Sequence, residues 1–116
     1  MSLKSLTSIH SVRIMRHEVT RGAGGGQVRR PRLVRTMKCR VQPLRTREIN
    51  EFEKEGSEVT HRVFFSQDPQ VDVNYWFEFR HRGKKFNLQV NGVRNAGFLD
   101  RVWVVECESR DSVDVR

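Results

Sequence analysis

The sequence predicts a mainly β protein, a small six-stranded barrel or sandwich with one short helix between strands 2 and 3, on three observations. Most of the chain beyond residue 10 alternates apolar and polar side chains with period two. Only residues 44–56 switch to helical spacing. Clusters of Gly, Pro and Asn interrupt the alternation at short intervals, as they do in small barrels and sandwiches.

Each element can be read from its residues. Ser11 to Arg16 sets Val12 and Ile14 on one side and Arg13 and Met15 on the other, the pattern of a half-buried first strand. It runs into Arg21-Gly22-Ala23-Gly24-Gly25-Gly26-Gln27, where four glycines in five residues leave little side chain to pack and much backbone entropy to lose. Beyond it Arg29, Arg30 and Arg32 surround Pro31, which disfavours helix and central strand alike. A long flexible loop over about residues 17–32 is therefore expected between strands 1 and 2. Leu33 to Gln42 makes the second strand, with Leu33, Met37, Cys39 and Val41 on its odd-numbered face and Pro43 as its stop.

In residues 44–56 Ile49 and Phe52 fall at i, i+3, and Gly56 suits the residue just past a helix end. Period two then returns. Val59, His61, Val63 and Phe65 share one face of a strand over Glu58 to Ser66, and Asp68-Pro69 ends it. Val73 to Arg80 opposes Tyr75, Phe77 and Phe79 to Trp76, Glu78 and Arg80. His81-Arg82-Gly83-Lys84 reads as a hairpin turn returning as Lys85 to Val90, and Asn91-Gly92 and Asn95-Ala96-Gly97 break the next stretch. Leu99 to Glu108 is apolar on both faces, as a central or barrel-closing strand is. Residues 1–10 are expected as an N-terminal arm, 11–108 as a single domain and 109–116 as a frayed tail.

With 116 residues, 36% of them hydrophobic and 31% charged, the chain has room for one domain with a thin core. No run of about 18 apolar residues and no secretory leader pattern is present, so no membrane contact and a cytoplasmic location are expected. Two cysteines, Cys39 and Cys107, are too few for a disulfide scaffold and lack CxxC spacing; both are expected as reduced core thiols. His10, His17, His61 and His81 are scattered, so no metal or other cofactor is expected. The net charge of +8 is uneven. Residues 1–47 hold 12 Lys and Arg against one acid, +11, and residues 48–116 hold 10 against 13, −3. Such a chain suits nucleic acid, or a basic segment docking on an acidic neighbour that includes another copy of itself.

The order of parts carries a resemblance. A first strand ending in Arg16, a long variable loop, Lys38-Cys39-Arg40-Val41-Gln42-Pro43, the Arg47-Glu48 pair opening a short polar helix and Thr60-His61-Arg62-Val63-Phe64-Phe65 come in sequence. After them come Asp68-Pro69, Arg82-Gly83-Lys84-Lys85-Phe86-Asn87-Leu88, Val93-Arg94-Asn95 and a closing strand ending at Glu106 or Glu108. This arrangement, over roughly Val12 to Glu108, resembles the head-tail joining family of tailed bacteriophages, also called head-completion, stopper or head-tail adaptor proteins.

The resemblance implies a structural virion component, made in the bacterial host cytoplasm. Its copies would form a ring beneath the portal, join the DNA-filled head to the tail and retain the DNA. Portal or adaptor and tail proteins would be its partners, with no small-molecule substrate. The loop bearing Arg21, Gly22, Gly24, Gly25, Gly26, Arg29, Arg30 and Arg32 would face the channel and touch the DNA end electrostatically. Arg47, Glu48, Glu51 and Glu55 on the helix are candidates for contact between subunits.

The residues also bear on two other classes. Catalysis would need Cys39 or Cys107 with His61, or Glu48 with Glu51, and neither set has the spacing of a catalytic motif; no catalytic residue is expected. The alternative is a small basic barrel whose main role is to bind nucleic acid, with Arg80, Arg82, Lys84 and Lys85 beside an exposed Trp76 as a stacking platform.

Overall fold

A computed structural model describes residues 9–56 and 58–110. The strands are β1 (His10–Arg21), β2 (Gln27–Pro43), β3 (His61–Phe65), β4 (Tyr75–His81), β5 (Lys84–Asn95) and β6 (Trp103–Arg110), with helix α1 (Thr46–Lys54) between β2 and β3. All neighbouring strands are antiparallel and close in the order β1-β2-β3-β6-β5-β4, so the expected six-stranded barrel forms.

Its interior is built from the predicted faces. Val12 and Ile14, Cys39 and Val41, Val63 and Phe65, Phe77 and Phe79, Leu88 and Val90, and Val105 and Cys107 form one buried cluster, two residues from each strand. Phe65 and Phe77 meet across it with ring centroids 5.4 Å apart, tilted by 59°. Burying one such ring is worth about 1.5–3 kcal/mol, and an aromatic pair adds about 0.5–1.5 kcal/mol. The turn His81-Arg82-Gly83-Lys84 has positive φ at both central residues, 51° and 77°, the twist that suits a two-residue hairpin. Helix α1 ends as expected, with Gly56 at φ 80° just beyond it.

Four expectations are corrected. Residues 17–32 are not one long flexible loop. β1 and β2 continue as a two-stranded ribbon, paired from Arg16↔Arg32 to Arg21↔Gln27, and only residues 22–26 form the turn. Backbone ladders need register and a turn, not an apolar face, so charge on both sides hid these strands. Second, the outer face of β1 is not left to solvent: Met15, on the side away from Val12 and Ile14, is buried, and beside it the ladder to β2 slips, with Val34 as the extra residue. Met15 then packs with Trp76 in a small second cluster outside the main core. Third, Asn91-Gly92 does not end β5 but forms a bulge within it. Fourth, Leu99 does not open β6: Ala96–Phe98 form a short 3₁₀ turn, residues 99–102 lead on to Trp103, and Phe98 and Leu99 are exposed to solvent. Ser109 and Arg110 belong to β6, while the rest of the expected tail and residues 1–8 of the expected arm lie outside the described residues.

Candidate functional site: ribbon, helix and barrel mouth

The ribbon brings the predicted arginines onto a projecting two-stranded arm. Arg16 sits opposite Arg32, Glu18 opposite Arg30, Val19 opposite Arg29 and Arg21 opposite Gln27. All five arginines are exposed, and the single acid, Glu18, lies 3.7 Å from Arg32, a surface pair worth at most about 1 kcal/mol. At the tip the glycines have different jobs. Gly24 and Gly25 take φ of 95° and 88°, the Gly25 N–H donates to the Gly22 carbonyl, and the Gly22 N–H donates to the Gly26 carbonyl at 2.7 Å. A Cβ on Gly22 would meet Val28 Cγ2 at 2.8 Å, whereas one on Gly26 would meet nothing. The base of the arm is anchored by His17, whose ring centroid is 4.6 Å from that of Trp76.

That anchor removes the stacking platform. Trp76 is 1% exposed, not the exposed ring that a nucleic-acid-binding barrel would need there. Its strand neighbour Gln89 is wholly buried and donates from Nε2 to the carbonyls of Val73 (2.8 Å) and Tyr75 (3.1 Å), tying β5 to the segment that enters β4. A glutamine on an otherwise polar strand face carried no sequence signal for this role.

Of the helix candidates, Arg47, Glu51 and Glu55 are exposed, with Arg47 and Glu51 3.7 Å apart. Glu48 is engaged within the chain. One carboxylate oxygen accepts from the Arg45 N–H at 3.4 Å at the start of the helix, and the other accepts from Arg62 Nη1 at 3.0 Å. Arg62 also lies over the Phe52 ring, 5.6 Å from its centroid, so one β3 side chain holds α1 at two points.

At the end of the barrel near α1, the mouth opens as a cavity of about 440 Å³ lined by His10, Val41, Pro43, His61, Phe79, His81 and Phe86. Three of the scattered histidines converge here, although among the described residues no group of His, Cys, Asp or Glu is placed to hold a metal. The Val41 N–H donates to His10 Nδ1 at 3.0 Å. Thr60 Oγ1, itself accepting from the Ser109 N–H, lies 2.8 Å from His61 Nδ1. Burial lowers the pKa of both imidazoles, with His81 and Arg40 adding to the effect at His10.

His61 and Cys107 are cross-strand partners, a thiol and an imidazole on neighbouring strands. Burial pushes the Cys107 thiol well above its ordinary value and the Cys39 thiol up to about 12, while lowering the imidazole. A thiolate–imidazolium pair needs the opposite shifts. Both cysteines are free and lie in the core.

This barrel, with its cationic arm and polar helix, is matched over residues 4–110 by the family model for phage head completion protein. The chain belongs to the phage head completion protein family. It is thus a structural protein of the virion with a role at the head. No curated protein matches the chain. Among solved structures it is similar in fold to the solution structure of protein SF1141 from Shigella flexneri 2a, with a TM-score of 0.75 and 13% identity over 97% of this chain and 99% of that one.

Proposed function

We propose that this head completion protein forms a ring under the portal, joins the filled head to the tail, and helps to hold the DNA end through its β1–β2 ribbon. The observation that carries this reading is the arm itself: Arg16, Arg21, Arg29, Arg30 and Arg32 stand exposed on a projecting pair of strands with Glu18 as their only acid. Phosphates are the natural counter-charge for such an arm. Contact of this kind is independent of base sequence and falls steeply with salt. A paired ribbon also needs less ordering at the moment of contact than a glycine-rich loop does.

On the helix side, Arg47, Glu51 and Glu55 present mixed charge suited to a neighbouring subunit or an adaptor, while Glu48 serves indirectly by fixing the helix through Arg62. The portal or adaptor on one side and tail proteins on the other are the proposed partners, and assembly takes place in the host cytoplasm.

The test is DNA retention. Particles completed with Arg21→Gln, Arg29→Gln and Arg30→Gln together should fill normally and then leak, read as nuclease-sensitive DNA and as an excess of empty heads. Particles that keep their DNA as well as the wild type would remove the ribbon from this role.

A further inference from the structure

The two ends of the barrel differ in a way that the ribbon and helix do not explain. At one end is the mouth, whose walls are rings: Phe79 lies 5.2 Å from His10, 5.9 Å from His81 and 6.1 Å from Phe86, centroid to centroid. Near neutral pH His10 and His61, held with lowered pKa, add apolar ring surface instead of charge. At the other end, where β5 passes into β6, Phe98 is 90% exposed and Leu99 is 65% exposed.

This pair is not on a slack loop. Asn95 Nδ2 donates to the Asp100 carboxylate at 2.6 Å, the Asp100 N–H donates back to Asn95 Oδ1 at 3.1 Å, and the Ala96 N–H donates to the Val102 carbonyl. Phe98 and Asp100 are both held at φ 55°. A bulky aromatic residue in the left-handed region, facing water, is a conformation that a free loop does not choose, and strain of this kind gathers where a surface is shaped for a partner.

From these two features we infer that the Phe98–Leu99 knob of one copy seats in the barrel mouth of the next, making a head-to-tail contact between subunits. The inference rests on the ring proposed above and supplies one of its contacts. Knob and mouth lie at opposite ends of the β5–β6 pair, so the contact is heterologous and repeats from copy to copy, closing where the rotation allows. Its size agrees with assembly on a template. A Phe and a Leu bury well under the roughly 800 Å² per partner of a stable interface, so the contact is weak in free solution and becomes effective when neighbouring copies are held side by side.

The test uses the full chain in solution. Between 0.05 and 1 mM, amide resonances of residues 97–101 and of His61, His81 and Phe86 are expected to shift together with concentration, and Phe98→Asp should abolish both sets. With isotope-labelled Phe98→Asp chain and excess unlabelled wild type, only the mouth residues should move. With labelled His81→Trp chain, whose mouth is blocked, only residues 97–101 should move. Shifts in neither region at 1 mM overturn the contact, and mouth shifts that persist when every chain carries Phe98→Asp show another occupant and overturn it equally. Because the readout is the free chain, failure here leaves the DNA-retention reading to its own leakage test.

Discussion

From His10 to Met15, strand β1 buries Val12, Ile14 and Met15; from Arg16 to Arg21 the same strand buries no apolar side chain and is held by its ladder to β2 and by His17 resting on Trp76. The change falls between Met15 and Arg16, one residue past the bulge. One strand therefore serves two purposes. Inside the barrel, side-chain packing sets stability and tolerates little change. In the ribbon, turn geometry and register set the shape, so its surface charge is free to serve contact.

The largest effect expected from breaking this contrast lies in the core. Phe77→Ala removes a fully buried ring that packs on Phe65 and should cost about 3–5 kcal/mol, read as a fall in the denaturant midpoint. A cost under about 1 kcal/mol would mean that the barrel interior is loosely packed. Next comes Gln89→Leu, which leaves the Val73 and Tyr75 carbonyls without this donor and should cost about 1–3 kcal/mol, with faster amide exchange in residues 73–76. Unchanged stability and exchange would show that the segment entering β4 is held by other contacts.

The legibility of the sequence divides along the same line. Period two finds the faces of β3 and β4 because Val63, Phe65, Phe77 and Phe79 each turn into the barrel, and Arg82-Gly83 marks its hairpin because both residues need positive φ. The ribbon is hidden because Arg29, Arg30 and Arg32 give no apolar face to trace. Asn91-Gly92 looks like a turn because a bulge and a turn use the same residues. Strand parity alone assigns Trp76 to solvent, and parity carries no information about Met15, its partner across the β1–β4 ladder, and His17, which cover the indole from the same outer face. The mouth is illegible for another reason. His10, His61 and His81 come together only when the ring of strands closes.

A smaller effect concerns pH. His10 and His61 have pKa values lowered by burial, so as pH falls through the ordinary histidine value of 6.5 the unfolded chain takes up protons first, and stability declines from there toward the lowered folded values. The Glu58 carboxyl, raised by its contact with Glu108, acts in the opposite direction, so the comparison is between chains. His61→Gln should show a shallower loss of melting temperature between pH 7 and 5 than the wild type. Equal slopes would mean that burial of this imidazole is not felt in the folding equilibrium.

The smallest effect sharpens the contrast from the ribbon side. Replacing Gly22 to Gly26 by Asn-Gly allows Arg21↔Gln27 to close as a two-residue hairpin and should change stability by less than about 0.5 kcal/mol, while DNA retention in particles falls. A large loss of stability would make the tip part of the folding unit; full stability with full retention would confine any role to the strands below the tip.

The ribbon also bears on how the chain avoids its own copies during synthesis. β1 is paired to β4 only over Arg13 to Arg16, and β2 to β3 only over Arg40 to Pro43, so among the described strands the outer backbone of the arm has unmet N–H and C=O groups. Such open edges invite strand-to-strand pairing and the cross-β growth it seeds. Here the sequence resists it twice. Pro31 takes one donor from the β2 edge, and the arginines spaced along both strands make edge-to-edge approach of two ribbons mutually repulsive. The same positive charge on which the proposed DNA contact draws thus also disfavours edge-to-edge pairing between free copies of the chain.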